Sequence, residues 1–205
     1  IHISKGRYVF LLNPDSVVTP GALEALLGFA DKNPTSGIIG IKILNPNGTL
    51  QYSCRHFPTL EAAIFRNTIL GHFFPKNAYT LDYLMSSWDH IEPRDVDWVS
   101  GAALLMRRKF IEEVGGFDEQ FFMYCEDVDL GYRAMQSGWK VTYFPGAYVI
   151  HTIGRSSDKS PNRMILQHHK SMYRFFRKHY WADASLLKRI LVPIGLTARA
   201  SFFVT

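Results

Sequence analysis

Tyr8-Val9-Phe10-Leu11-Leu12-Asn13-Pro14-Asp15 carries the first clear signal of fold class. Five apolar residues in a row, bounded by turn formers, predict a short strand buried on both faces, the kind found in parallel sheets. Asn13-Pro14-Asp15 closes its carboxyl end, which is where open α/β sheets bind ligands. Asn, Pro and Asp are also ordinary turn formers, so the triplet alone reads as a turn as readily as a site. Just downstream, Thr19-Pro20 predicts an N-cap and first position of a helix to about Lys32, with Leu23, Leu26, Leu27 and Ala30 on one face. Gly37–Leu44 predicts a second strand, and Asn45-Pro46-Asn47-Gly48 a tight hairpin turn. Strand, helix, strand implies an α/β layer architecture.

Further along, residues 52–95 are irregular and rich in aromatics and proline, with a short helix near 60–68 and then loops. A strand is expected within 97–108 and a short helix over Lys109–Val114. Trp139–Phe144 predicts a strand, Pro145-Gly146 a turn, and Ala147–Ile150 a further strand ending on His151. Asn162–Tyr180 predicts a helix with Ile165, His169, Met172, Phe176 and His179 along one stripe. Leu186–Phe203 is apolar but broken by Pro193 and Gly195, too short and interrupted for a membrane span.

Between these lies Gly115-Gly116-Phe117-Asp118-Glu119-Gln120-Phe121-Phe122-Met123-Tyr124-Cys125-Glu126-Asp127-Val128-Asp129-Leu130. An aromatic run ends on adjacent carboxylates that open a helix, where the macrodipole favours negative charge. Val128, Tyr132 and Met135 then recur at helical spacing and Gly138 closes the helix. Glu126 and Asp127 read either as electrostatic caps or, beside so apolar a lead-in, as candidate general bases.

With 205 residues, 47% of them hydrophobic and 20% charged, the chain is long enough for one domain with a real core, or a domain plus an appendage. Cys54 and Cys125 stand in no metal-type spacing, which points to a reducing compartment without a disulfide framework. The opening residues lack the apolar run of a signal peptide. Charge is uneven. Residues 155–205 hold ten Lys/Arg and two Asp, a net +8, whereas the preceding 154 residues carry 13 basic and 16 acidic groups, a net −3. The basic tail suggests an anionic partner. Nucleic acid is not expected, for want of any recognition motif.

Asp15 offers a hard oxygen ligand suited to Mg²⁺ or Mn²⁺. His151 gains meaning only if it converges with Asp15, since an imidazole can complete a divalent-metal site. Trp98 and Trp139 read as core. Arg107 and Arg108 read as phosphate contacts or as solvated charges.

Taken in order, Tyr8 to Asp15, Trp98-Val99-Ser100-Gly101-Ala102, Gly116-Phe117-Asp118-Glu119-Gln120-Phe121-Phe122 with Glu126-Asp127-Val128-Asp129-Leu130, and His151 resemble the family 2 glycosyltransferases, most of all their rhamnosyltransferase-like branch. The resemblance runs from about Gly6 to Tyr180. It implies a GT-A-like mixed sheet flanked by helices, with residues 1–154 forming the C-terminal portion of that domain and 155–205 a basic loop and helical extension. It implies an inverting transferase that moves a sugar, rhamnose among the candidates, from a nucleoside-diphosphate donor to a saccharide or lipid-linked acceptor in surface-polysaccharide synthesis. By the same resemblance Asp127, with Glu126, is the base. Asn13 and Asp15 match the Asp-X-Asp-like motif, Asp15 and His151 face a divalent metal, and Ser100-Gly101 line the donor-sugar pocket. The basic loop from Arg155 is expected to close over the diphosphate. The expected place is the cytoplasm, at the inner face of the membrane, with an anionic membrane surface and a second copy of the chain as further partners. The family's opening nucleotide-binding strands have no counterpart here, so the chain is expected to be a fragment. The competing reading is an inactive remnant or scaffold of the same fold.

Overall fold

The computed structural model describes residues 1, 3–66, 69–152 and 161–204, without the side chains of 69 and 70. In chain order the elements are β1 (Tyr8–Leu12), β2 (Ser16–Val18), α1 (Ala22–Lys32), β3 (Ser36–Leu44), β4 (Leu50–Gln51), β5 (Cys54–Arg55), α2 (Leu60–Phe65), α3 (Ile69–Phe73) and α4 (Ala78–Tyr83). There follow β6 (Arg94–Val96), β7 (Trp98–Val99), β8 (Ala103–Arg107), α5 (Arg108–Val114), α6 (Glu126–Gln136), β9 (Lys140–His151), α7 (Pro161–Phe175), a π turn over Phe176–Tyr180, and α8 (Leu186–Phe203). Two compact units result, Ile1–Gly116 with 130–152, and Phe117–Asp129 with 161–204.

The first unit is built on a mixed sheet in the order β1-β8-β3-β9-β2, with β4 added to β3 and β6 to β9. β3 and β9 pair in parallel, while β8 runs antiparallel to both β1 and β3. β1, β3 and β9 therefore end on the same side. This is the mixed, helix-flanked sheet that the sequence implies. Ile39, Ile41 and Ile43 of β3 pack with Leu105, Val149 and the α1 residues Ala22, Leu26 and Ala30 to form the core. The buried Ile38, Ile39, Ile41 and Ile43 of β3 suit a central strand covered on both faces.

Several local expectations need correction. The α1 helix is not capped by Thr19. Gly21, at φ 76°, is the residue before its first turn, and Thr19 Oγ1 donates instead to the Tyr148 carbonyl, 2.6 Å away. Pro145-Gly146 does not turn the chain. β9 runs on through it, and its pairing with β3 slips between Phe144 and Tyr148, a bulge that absorbs residues 145–147. The region after α2 holds α3 and α4 rather than loops alone. Pro193 and Gly195 do not break α8. On α6 the buried positions include Val128, Leu130 and Ala134, whereas Met135 is 49% exposed.

Arg107 and Arg108 are structural. Arg107 donates to the carbonyls of Ala30, Asn33 and Ser36, ending α1, and Arg108 donates to Ser4 and Gly6. Trp98 is buried as expected, with its indole N–H on the His56 carbonyl at 2.9 Å. Among the described residues no helix is long and apolar enough to cross a membrane.

Candidate functional site

In the first unit, the link Asn13–Asp15 joins β1 on one edge of the sheet to β2 on the other. It is anchored at both ends. The Asn13 amide donates to the Ala102 carbonyl at 2.8 Å, and the Thr152 amide donates to the Asp15 carbonyl at 3.1 Å. Ser16 pairs with His151. This register brings Asp15 Oδ1 to 3.2 Å from His151 Nε2, with the Asn13 side-chain amide 3.5 Å from the same nitrogen. Ser100-Gly101 form the turn between β7 and β8, two residues before the Ala103 that pairs with Leu12. Ser100 is tied by its own amide to the Ser53 carbonyl at 2.7 Å. Five of the residues singled out in the sequence, Asn13, Asp15, Ser100, Gly101 and His151, thus fall at one end of the sheet. Arg155 lies outside the described residues.

Gln51 escaped the sequence reading and orients this corner. Its side-chain N–H₂ donates to the His151 carbonyl and to Asn45 Oδ1, both at 2.7 Å. That fixes its oxygen toward His151 Nδ1, at 3.0 Å. Nδ1 donates to that oxygen, which leaves Nε2 turned toward Asp15. Asp15 Oδ1 is itself buried and accepts no hydrogen bond. An imidazole nitrogen and a carboxylate oxygen this close are held by a proton or a cation between them. A hydrogen bond that fixes the far nitrogen is the usual support of a metal-ligating histidine. The residues present therefore fit a divalent cation. Among the described residues no group of three or more His, Cys, Asp or Glu is placed to hold a metal ion. A cation held here would take its remaining ligands from water or bound oxygen groups, as Mg²⁺ commonly does.

The second unit carries the acidic helix start. Glu126, Asp127 and Asp129 occupy the first turn of α6. Two consecutive non-glycine residues before it, Tyr124 at φ 66° and Cys125 at φ 62°, are left-handed. Such conformations are costly and persist where the surroundings impose them. Asp127 Oδ1 accepts from the Val128 amide at 2.9 Å. Glu126 Oε2 is buried and accepts no hydrogen bond. Burial first, and then the Asp127 carboxylate, push the Glu126 carboxyl up to about 7. The Tyr124 hydroxyl and the Cys125 thiol are raised mainly by burial, which disfavours the reactive thiolate at Cys125. Asp129 is fully buried, and His179 Nε2 and Lys178 Nζ each reach its Oδ1 at 2.7 Å. The helical stripe hinted at His179, but nothing in the sequence paired it with Asp129, fifty residues away.

The family model for Glycosyltransferase like family 2 matches residues 1–169. Over 183 residues the chain is 41% identical to an N-acetylglucosaminyl-diphospho-decaprenol L-rhamnosyltransferase of Mycobacterium tuberculosis, covering 87% of this chain and 58% of that protein. It is 27% identical to the rhamnosyltransferase WbbL of Escherichia coli over 174 residues, 83% of this chain and 62% of that one. It is also 29% identical to the O-antigen biosynthesis protein RfbC of Myxococcus xanthus, over 77% of this chain and 12% of the relative. The chain thus spans about three fifths of the length of the two rhamnosyltransferases.

Proposed function

This chain belongs to Glycosyltransferase like family 2, and from that membership we propose that it moves a sugar from a nucleoside diphosphate to a saccharide or lipid-linked acceptor, with inversion, in building a surface polysaccharide. Two of the relatives named above are rhamnosyltransferases, which makes L-rhamnose the first donor sugar to test. The observation that carries the reading is the bare, buried Asp15 Oδ1 set against His151 Nε2 at the end of the sheet.

Asp15 and His151, with Asn13 beside them, would hold Mg²⁺ or Mn²⁺. Bound there, such a cation would supply positive charge to offset that of the departing diphosphate. Ser100 and Gly101 line the donor-sugar pocket. Asp127 takes the proton of the acceptor hydroxyl as that oxygen bonds to the anomeric carbon. The bond from that carbon to the diphosphate breaks, and its electron pair leaves with the nucleotide. A hydroxyl is far too weak an acid to ionise beforehand at neutral pH, so a positioned carboxylate is needed. Glu126, held protonated below about pH 7, keeps a second negative charge away from that carboxylate.

A lipid-linked acceptor would bring the protein to the inner face of a membrane. Exposed Leu186, Leu187, Ile190, Leu191 and Ile194 on α8, with Lys188 among them, support that placement.

The test is sugar transfer by the full-length protein from nucleoside-diphosphate L-rhamnose to N-acetylglucosaminyl-diphospho-decaprenol. Asp127→Asn should lower kcat by a factor of about 10² or more, the usual contribution of a general base. Transfer at the wild-type rate would remove Asp127 from the chemistry.

A further inference from the structure

The proposal concerns how the Glu126–Asp127 pair is aimed, and it rests on the reading that this pair serves the acceptor. Three side chains of the C-terminal segment grip the acidic turn, all within the second unit. Upstream of the pair, Ser171 is fully buried on α7 and its hydroxyl donates to the Met123 carbonyl at 2.7 Å. Met123 immediately precedes the left-handed Tyr124 and Cys125. The Tyr124 ring also meets His168 of α7 edge-on, centroids 5.1 Å apart. Downstream, Lys178 and His179 both reach Asp129 Oδ1 at 2.7 Å, and Lys178 Nζ also reaches Asp118 Oδ2 at 2.7 Å.

The geometry of the grip is unusual. Consecutive side chains on an α-helix diverge and do not meet one partner. Lys178 and His179 are consecutive, yet they converge on one oxygen. They sit in the π turn Phe176–Tyr180, a local rewinding often found at functional sites. A fully buried carboxylate such as Asp129 is tolerated only when paired. Lys178 and His179 meet that need while fixing the turn against the segment. The left-handed pair at 124–125 is the kind of strain that survives only when held from outside.

We propose that Ser171, Lys178 and His179 form a positioning clamp that sets the orientation of the Glu126–Asp127 pair, so that the C-terminal segment is part of the catalytic machinery. They are positioning residues, since they act through the pair.

The test is steady-state transfer by the full-length protein, with the same rhamnosyl donor and decaprenol-linked acceptor. Ser171→Ala and His179→Leu should each lower kcat about tenfold or more, a scale that small misplacements commonly reach. Donor and acceptor KM should stay within about twofold. His179→Gln, whose amide N–H₂ can replace the Nε2 donor, should restore most of the rate. On an Asp127→Asn background either loss should largely vanish, because residues that act as a unit are not additive. The clamp is overturned if folded Ser171→Ala and His179→Leu both keep the wild-type kcat, if His179→Gln is as slow as His179→Leu, or if the losses add in full to Asp127→Asn. Should His179→Leu fail to fold, Lys178→Met and Ser171→Ala carry the same comparison. An inactive Asp127→Asn beside fully active clamp variants overturns the clamp alone. Wild-type rates for both Asp127→Asn and Glu126→Gln overturn the base reading itself, and the clamp with it.

Discussion

Glu126 sets the pH behaviour of the acidic turn. Burial and the adjacent Asp127 raise its folded value to about 7, against an unperturbed value near 4.5. A raised carboxyl is stabilising in the folded chain while protonated. Its contribution is full below about pH 4.5 and is lost as pH climbs through about 7. Glu126→Gln removes that dependence. Relative to the wild type, the variant should therefore gain unfolding midpoint between pH 5 and pH 8. Discounted for partial exposure and for its coupling to Asp127, the gain is about 1 to 2 kcal/mol, or about 3 to 6 °C. Thermal unfolding at the two pH values checks it, and parallel curves for the two proteins would show that Glu126 is already ionised at pH 5. Asp118 shows the opposite sign. Burial pulls its carboxyl up, but the Lys178 ammonium and the Gln120 amide outweigh that and hold it below the ordinary range.

At the scale of elements, α6 is placed by a residue with no side chain. A methyl group at Gly131 would meet the Asp97 carbonyl oxygen at 2.6 Å and Trp98 Cβ at 2.8 Å. The helix lies that close to the strand before β8, and backbone cannot yield as a flexible side chain would. Gly131→Ala gains helix propensity but pays in overpacking, and should cost about 2 kcal/mol, lowering the midpoint by about 4 to 8 °C. A midpoint equal to or above the wild type would mean that α6 can move off the strand. The existence of α6, of β1 and of β3 was legible because each is a long or clean local pattern. The packing face of α6 was not. Spacing favoured Met135, whereas Leu130 and Ala134 are buried and Gly131 is the position that fits against a strand. The bulge at Pro145-Gly146 was misread for a related reason. Both are turn formers, and only β3 alongside shows that β9 continues past them.

At the scale of the molecule, the family was readable because four motifs stand in order along one chain, and the match over residues 1–169 agrees. The corner built by Asn13, Asp15 and His151 was readable only as a condition. His151 mattered if it met Asp15, and the antiparallel pairing of β2 with β9 is what makes them meet. Gln51 and the Asp129–His179 pair were invisible because each links residues that no local pattern relates. On the proposed function this corner holds a divalent cation together with a nucleoside diphosphate. The most direct test is the thermal unfolding midpoint of the full-length protein with Mn²⁺ and a panel of nucleoside diphosphates, beside Asp15→Ala. At about 100 times the dissociation constant, binding to the folded state alone adds about 2.7 kcal/mol, a rise of about 5 to 10 °C. That rise is expected for at least one nucleotide, only with the metal, and should be lost in Asp15→Ala. An equal rise in Asp15→Ala, or no rise with any nucleotide, would contradict it.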